Sequence, residues 1–156
     1  MMRLFIIFMV ILFSTKAFAD SRLDNCMQYK EEIISLLNSE SVSSDYFYLA
    51  VCESGCKIKT SPKGARGFFQ LILPTFRSYL PDNCSEDDID DIRCNTIAAA
   101  RYIKHLQERF KHISTVVKAY NRGGTNFQKY GSTPEADGLS NCVTKYINLE
   151  KNNTSS

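Results

Sequence analysis

The alternation of apolar and polar positions along the chain predicts helices and no strands. Over residues 23–37 and 93–110, apolar side chains recur every three or four positions with polar side chains between them, which is the spacing of one helix face. The predicted helices span residues 23–37, 45–53, 74–80, 93–110, 115–121 and 141–149. We therefore expect an all-α domain of about six short helices, with residues 127–139 irregular.

Residues 51–70 join two apolar segments through one carboxylate and a basic loop that contains glycine. Glu53 is the only acidic residue between Asp45 and Asp82. Beside apolar neighbours, desolvation raises the pKa of a carboxyl group, which then stays protonated and serves as a general acid. Alternatively, Glu53 is a solvated residue where a helix ends. The spacing alone does not choose between these two interpretations.

The first 19 residues have the layout of a secretory signal peptide. Arg3 precedes an apolar run over residues 4–13, and the sequence Ala-Phe-Ala at 17–19 offers small residues for cleavage. An uncleaved anchor is the alternative, although the run is short for a membrane span. We predict a signal peptide at 1–19, a domain at 20–150 and a disordered tail at 151–156. We expect an exported protein of the periplasm or cell envelope, with no stable membrane span after processing.

The charge balance argues against nucleic acid as the main partner. The formal net charge is +2, and without Arg3 and Lys16 the remaining 17 basic residues balance 17 acidic ones. Binding to a phosphate backbone needs an excess of positive charge. The charges are nevertheless segregated, because residues 57–77 are rich in Lys and Arg and residues 82–91 in Asp and Glu. The basic stretch is either a solvated face or a rim for an acidic polymer.

All the cysteines lie after residue 19, and an even number of them in a short exported chain indicates disulfides. They are Cys26, Cys52, Cys56, Cys84, Cys94 and Cys142. A metal site is less well supported, because no Cys-x-x-Cys sequence occurs and His105 and His112 lie at no recognisable ligand spacing from a cysteine. The sequence alone does not choose the pairing.

Four short motifs carry the candidate chemistry. They are Glu53-Ser54, the block SPKGARGFFQ over 61–70, Cys94-Asn95-Thr96-Ile97 with the small residues that follow it, and Ala119-Tyr120-Asn121 followed by Gly123. In this order and spacing, they resemble the lytic transglycosylases of the lysozyme-like superfamily. The resemblance covers residues 45–124 and extends more weakly to 149.

The resemblance implies a lysozyme-like α fold, stapled by disulfides, that cleaves peptidoglycan glycan strands without a metal or cofactor. Glu53 falls on the family's catalytic acid, which protonates the oxygen between N-acetylmuramic acid and N-acetylglucosamine. The muramoyl C6 hydroxyl then closes on C1 to give a 1,6-anhydro sugar. Ordinary glycosidases need two carboxylates, whereas these motifs contain only one. The residues implied to bind substrate are Ser61, Phe69, Gln70, Tyr120 and Asn121, and those implied to support the site are Ser54 and Gly67.

Structural roles remain open for several of these residues. Phe68 and Phe69 fit core positions better than sugar-stacking positions. The resemblance implies that Tyr120 holds Glu53 by a hydrogen bond, but Tyr120 also fits a packed helix residue whose hydroxyl finds another partner. Gln70 either lines the sugar cleft or ties down its loop.

The short chain is similar to the specialised transglycosylases that accompany secretion and conjugation machines, which implies such a complex as a partner beside peptidoglycan. The same likeness suggests a Cys26–Cys94 disulfide, with a short Cys84–Cys94 loop as the rival. Two other function classes stay open. One is a goose-type lysozyme, which is a hydrolase on the same scaffold, and the other is a non-catalytic wall-binding or assembly protein.

Overall fold

The computed structural model describes residues 20–155, so the predicted signal peptide lies outside the described residues. Within this range the chain forms eight α-helices, two 3₁₀ helices and no strand. The α-helices are α1 (Ser21–Met27), α2 (Lys30–Ser39), α3 (Phe47–Ser54), α4 (Leu73–Ser78), α5 (Ile92–Gln107), α6 (Ile113–Arg122), α7 (Gly124–Tyr130) and α8 (Pro134–Thr154), and the 3₁₀ helices are Ser44–Tyr46 and Glu86–Asp90. The all-α class is confirmed, with more helices than the six predicted. No helix between residues 20 and 155 is long and apolar enough to cross a membrane.

The single helix predicted over residues 23–37 is two helices. Helix α1 ends at Met27, and the Tyr29 N–H donates to the Cys26 carbonyl (2.9 Å) in the turn before α2. Each helix packs against a different neighbour. Cys26 fixes α1 to Cys56, just after α3, whereas α2 buries Ile33 against the core and packs on α5. One straight helix does not reach both partners.

Helix α5 lies at the centre of the fold and packs against α2, α4 and α6. Asp91 caps it, because its carboxylate accepts a hydrogen bond from the Cys94 N–H (2.9 Å). The three alanines at 98–100 and the side chains of Ile103 and Leu106 are fully buried. Small side chains at consecutive positions allow the neighbouring helices to approach α5 closely.

The C-terminal third is more helical than the sequence pattern predicts. Residues 127–139, predicted to be irregular, contain the end of α7 and the start of α8. The prediction was wrong because it gave no weight to two helix-start signals: the Thr133 hydroxyl accepts from the Ala136 N–H (3.2 Å), and Pro134 occupies the first turn. Helix α8 packs on α6 and α3 and reaches Thr154, inside the segment for which a disordered tail is predicted.

Three disulfides pair all six cysteines, as the sequence predicts: Cys26–Cys56, Cys52–Cys142 and Cys84–Cys94. The suggested Cys26–Cys94 bond is wrong, and the rival Cys84–Cys94 bond is present. Cys94 lies in the first turn of α5, and the loop before that helix carries Cys84 only 10 residues earlier. Helix α1 instead packs on α3, where Cys26 meets Cys56. The first two bonds therefore join α1 and α8 to α3.

Candidate active site

Helix α3 places Glu53 at its C-terminal end, where the core meets a surface cleft. The rest of the helix is apolar and buried on nearly every side, with Phe47, Leu49, Ala50 and Val51 fully buried. Gly55 ends the helix in the left-handed conformation (φ +62°), and its N–H donates to the Val51 carbonyl (3.0 Å). The carboxyl group of Glu53 is thus half-buried, directly before the point where the chain leaves the core.

Ser54 connects the end of α3 to the loop over residues 55–72, which joins α3 to α4. Its buried hydroxyl donates to the Phe68 carbonyl (2.7 Å) and accepts from the Cys56 N–H (3.0 Å). The loop is closed at its base, because Arg66 and Leu71 exchange two backbone hydrogen bonds of 2.9 Å each. Ser54 therefore has the contacts expected of a residue that supports the site.

Gly67 is the tightest point of this loop. It has φ +75°, and a Cβ at this position would lie 2.2 Å from the Asn95 amide nitrogen and 2.6 Å from the Ile89 carbonyl. Asn95 is fully buried on α5, where its amide donates to the Ile89 carbonyl (2.8 Å) and its oxygen accepts from the Phe69 N–H (2.9 Å). Only glycine fits here, and the motif on α5 holds the loop through Asn95.

Phe69 and Tyr120 act differently from the roles that the resemblance implies. The Phe69 ring is 0% exposed, so it packs in the core and does not contact a substrate in the cleft. Its carbonyl accepts a hydrogen bond from the Tyr120 hydroxyl (2.7 Å). The Tyr120 hydroxyl therefore donates its hydrogen bond to the loop and not to Glu53. Burial raises the pKa of Tyr120 well above its usual range, and the nearby Glu53 charge adds to this, so the phenol stays protonated.

A cleft of about 350 Å³ runs past the end of α3 and brings most of the predicted site together. Glu53, Ser61, Gln70, Tyr120 and Asn121 all line it. These residues come from α3, from the loop that directly follows it and from α6, which lies much further along the chain. The candidate site is therefore a consequence of the fold and not of one local segment.

Gln70 and Ser61 shape the loop side of this cleft. Gln70 has φ +49°, and its side-chain amide donates to the carbonyls of Gly67 (2.9 Å) and Lys59 (3.1 Å). The Ser61 hydroxyl accepts from the Ala65 N–H (3.0 Å) and fixes the turn between them. Both proposed roles of Gln70 are thus compatible, because the side chain ties down the loop and also faces the cleft.

The environment of Glu53 favours its protonated form. Burial raises the pKa of Glu53 to about 7, the charge of Lys59 lowers it, and the charge of Glu135 raises it further. No hydrogen bond from the described residues stabilises the carboxylate. Desolvation therefore dominates, and this side chain holds a proton near neutral pH, where a general acid needs one.

Glu135 is a site residue that the motifs did not identify. It lies in the first turn of α8 and lines the same cleft as Glu53. Lys63 binds it at 3.0 Å, and the ion pair with Lys63 and a hydrogen bond from Asn121 hold the pKa of Glu135 below its usual range. The helix-start sequence Thr133-Pro134 was the available signal, since it predicts that Glu135 lies in the first turn of a helix. It does not indicate which surface of the protein that turn faces. The cleft thus contains two carboxyl groups whose pKa values are shifted in opposite directions: that of Glu53 is raised, and that of Glu135 is lowered.

Nothing in the donor set between residues 20 and 155 suggests a metal. No group of three or more His, Cys, Asp or Glu side chains in this range is arranged to hold an ion. The chemistry available in the cleft is proton transfer by Glu53, hydrogen bonding by amides and hydroxyls, and charge supplied by Lys63 and Glu135.

Comparison with known families agrees with this geometry. The transglycosylase SLT domain matches residues 33–142, which include α3, the loop, α5, α6 and Glu135. A search of curated proteins found no match to the chain. The matched region covers more than half of the chain and contains Glu53 and the helix that carries it, so this chain belongs to the SLT-domain family of lytic transglycosylases, which have the lysozyme-like all-helical fold and act on peptidoglycan.

Proposed function

We propose that the protein cleaves the β-1,4 bond between N-acetylmuramic acid and N-acetylglucosamine and releases a 1,6-anhydro-muramoyl product. The observation that carries the proposal is Glu53, a half-buried carboxyl at the cleft whose pKa burial raises to about 7. A group of this kind donates a proton at neutral pH and takes it back later in the same cycle. Membership of the SLT-domain family supports this class of reaction.

The reaction needs one acid that changes role. Protonated Glu53 gives its proton to the glycosidic oxygen, and the bond to the muramoyl C1 breaks as an oxocarbenium-like centre forms. The C6 hydroxyl of the same sugar then bonds to C1, and the Glu53 carboxylate accepts the hydroxyl proton. Because that nucleophile is already tethered, its effective molarity reaches about 10⁵ M or more. No water is consumed, and Glu53 ends protonated as it began.

The other cleft residues are proposed to bind and position the sugars. Gln70 and Asn121 present amides, and the rings of Tyr120 and Tyr102 contact each other in the cleft wall, with ring centroids 5.2 Å apart. Ser61 keeps the turn on the loop side in place. Ser54 and Gly67 are proposed to support the site by fixing the backbone of the loop relative to the end of α3.

Hydrolysis, as in goose-type lysozymes, is the second candidate, and Glu135 is the observation that favours it. An inverting hydrolase uses a second carboxylate to activate water, and Glu135 lines the same cleft as Glu53. Its contacts with Lys63 and Asn121 weaken Glu135 as a base. Lys63 pairs with it, and the lowered pKa reduces its affinity for a proton. We therefore favour cyclisation over hydrolysis.

Mass spectrometry of digested peptidoglycan tests the proposal. Anhydro products are lighter by one water than hydrolysis products and carry no new reducing end. Glu53→Gln keeps the shape but not the proton, so turnover should fall by roughly 10²–10⁴-fold, with Glu31→Gln on the exposed face of α2 as the matched control. Reducing muramic acid ends would establish the hydrolase instead. A wild-type protein that sediments with intact wall but releases no fragments would establish the non-catalytic alternative.

We propose that the enzyme works outside the cytoplasm, beside a secretion or conjugation complex. Pairing of all six cysteines suits an oxidising compartment such as the periplasm or cell envelope. The likeness to small transglycosylases of secretion and conjugation machines suggests that the enzyme opens the wall locally for such a complex. Loss of secretion or conjugation in a strain carrying Glu53→Gln, with normal levels of the protein, is the expected result.

A further inference from the structure

A second recess opens beside the catalytic cleft and reaches the same acid. It has a volume of about 230 Å³ and shares Glu53, Asn121 and Glu135 with the cleft. Its own walls are the Cys52–Cys142 disulfide, residues of α8 and the side chain of Arg22. A substrate bound at Glu53 therefore has two directions in which to extend, and the second one leads towards Arg22.

Gly138 keeps this recess open. It lies inside α8 without a left-handed backbone, and a Cβ at this position would meet nothing within 4 Å. Neither backbone conformation nor close packing requires glycine there. Glycine inside a helix is nevertheless less favourable than alanine by about 1 kcal/mol. A long side chain at position 138 would therefore occupy space in the recess that glycine leaves free.

Arg22 supplies the positive charge that lines the recess. Lys63 pairs with Glu135, and burial raises the pKa of Glu53 to about 7, which reduces the negative charge around it. Arg22 has no ion-pair partner among residues 20–155; its charge acts on Asp20, whose carboxylate is already engaged by the Tyr146 hydroxyl. The guanidinium is exposed and able to bind an oxygen acid bidentately.

Arg22 is also held in place by the fold. The backbone of Gly55 lies against its side chain, since a Cβ on Gly55 would come within 3.1 Å of the Arg22 Cγ. The Cys26–Cys56 disulfide fixes the rest of α1 beside the end of α3. Helix α1 precedes the residues 33–142 that match the family domain. Arg22 thus lies outside the matched region that contains the catalytic acid.

We propose that this recess binds the carboxylate-bearing peptide substituent of the muramic acid residue next to Glu53, and that Arg22 selects glycan strands that still carry it. The proposal rests on peptidoglycan being the substrate. The sugar rings themselves are uncharged, and only muramic acid extends a lactyl ether to a peptide with free carboxyl groups. The recess adjoins the acid that acts at muramic acid, so ring and substituent can occupy cleft and recess together.

Binding without turnover is the direct test. In a Glu53→Gln background, we would measure dissociation constants for two glycan oligomers of equal length, one with its peptides and one stripped of them by an amidase. The expected result is tighter binding of the peptide-bearing oligomer by about twofold to fivefold, which is the range for one exposed charged contact. Arg22→Gln should abolish that difference without changing the affinity for the stripped oligomer.

Three further variants separate the effect of charge from the effect of space. Gly138→Gln fills the recess with a better helix former and should also abolish the difference, whereas Gly138→Ala should reduce it less. Arg93→Gln removes an exposed arginine that lines neither cavity and should leave it unchanged. Equal affinities for the two oligomers in the Glu53→Gln parent, or an Arg22→Gln effect of the same size on both, would overturn the proposal. A wild-type protein that binds with this difference but cuts neither strand would overturn the enzymatic function while the recess assignment stands.

Discussion

Replacing Glu53 with glutamine should stabilise the protein at neutral and alkaline pH but not in acid. The pKa of Glu53 is about 7 in the folded protein, because burial disfavours the carboxylate, whereas the ordinary value is 4.5. Between these two values the folded state holds a proton that the unfolded state has released. The free energy of unfolding of the wild type therefore falls as pH rises from 4.5 through about 7.

The size of the effect follows from the same two values. Each pKa unit corresponds to about 1.4 kcal/mol. The loss of unfolding free energy that the raised pKa of Glu53 causes is therefore about 3 kcal/mol above pH 7 and close to zero below pH 4.5. Glutamine has the same shape and does not titrate, so Glu53→Gln avoids this loss. For a chain of this length, the difference corresponds to a rise in Tm of roughly 10 °C at pH 8.

Urea denaturation of both proteins at pH values from 4 to 9 measures the prediction directly. The quantity of interest is the difference in unfolding free energy between Glu53→Gln and wild type, plotted against pH. Glu31→Gln, on the exposed face of α2, controls for the loss of one negative charge. A difference that stays flat across this range would show that Glu53 is solvated in the folded protein, and the general-acid argument would lose its physical basis.

Three further changes test the scaffold and the second carboxylate. Gly67→Ala should lower the unfolding free energy by roughly 1–3 kcal/mol more than Gly64→Ala, which also has positive φ but meets no neighbour, and equal losses in urea denaturation would contradict this. Paired serine substitution of Cys52–Cys142 should cost about 4–5 kcal/mol against about 3 for Cys84–Cys94, since the closed loops differ ninefold in length, and calorimetry showing the reverse order would refute it. Glu135→Gln should move the alkaline limb of the activity profile to lower pH, and a shift upward would contradict the assigned electrostatics.

The parts of the site that the sequence predicted well are those in which local chemistry leaves little choice. An apolar helix that ends in one acid, followed by a glycine-containing loop, correctly indicated where Glu53 lies. The steric need at Gly67 was less visible. Its neighbour Asn95 comes from a helix that begins 25 residues later in the chain, so only the folded structure brings the two into contact.

The features that the sequence did not predict depend on long-range packing. Glu135 enters the cleft because α8 begins at Pro134 and packs on α6 and α3, and no pattern around it indicates that destination. Tyr120 was expected to bond to Glu53, but the buried Phe69 carbonyl needs a partner and accepts the hydrogen bond that the Tyr120 hydroxyl donates. The disulfide pairing has the same origin, since which cysteines meet depends on how α1 and α8 pack on α3.

The position of two disulfides around Glu53 connects the stability of this protein to its chemistry. Keeping that carboxyl desolvated costs about 3 kcal/mol at neutral pH, a large part of the stability of a small domain. Cys52 directly precedes the acid and is bonded to α8, and Cys56 follows it and is bonded to α1. By loop length, these bonds stabilise the fold by about 4–5 and 3–4 kcal/mol. They offset this cost through the unfolded state, whose conformational entropy each crosslink lowers, and in the folded state they connect the chain on both sides of Glu53 to α1 and α8.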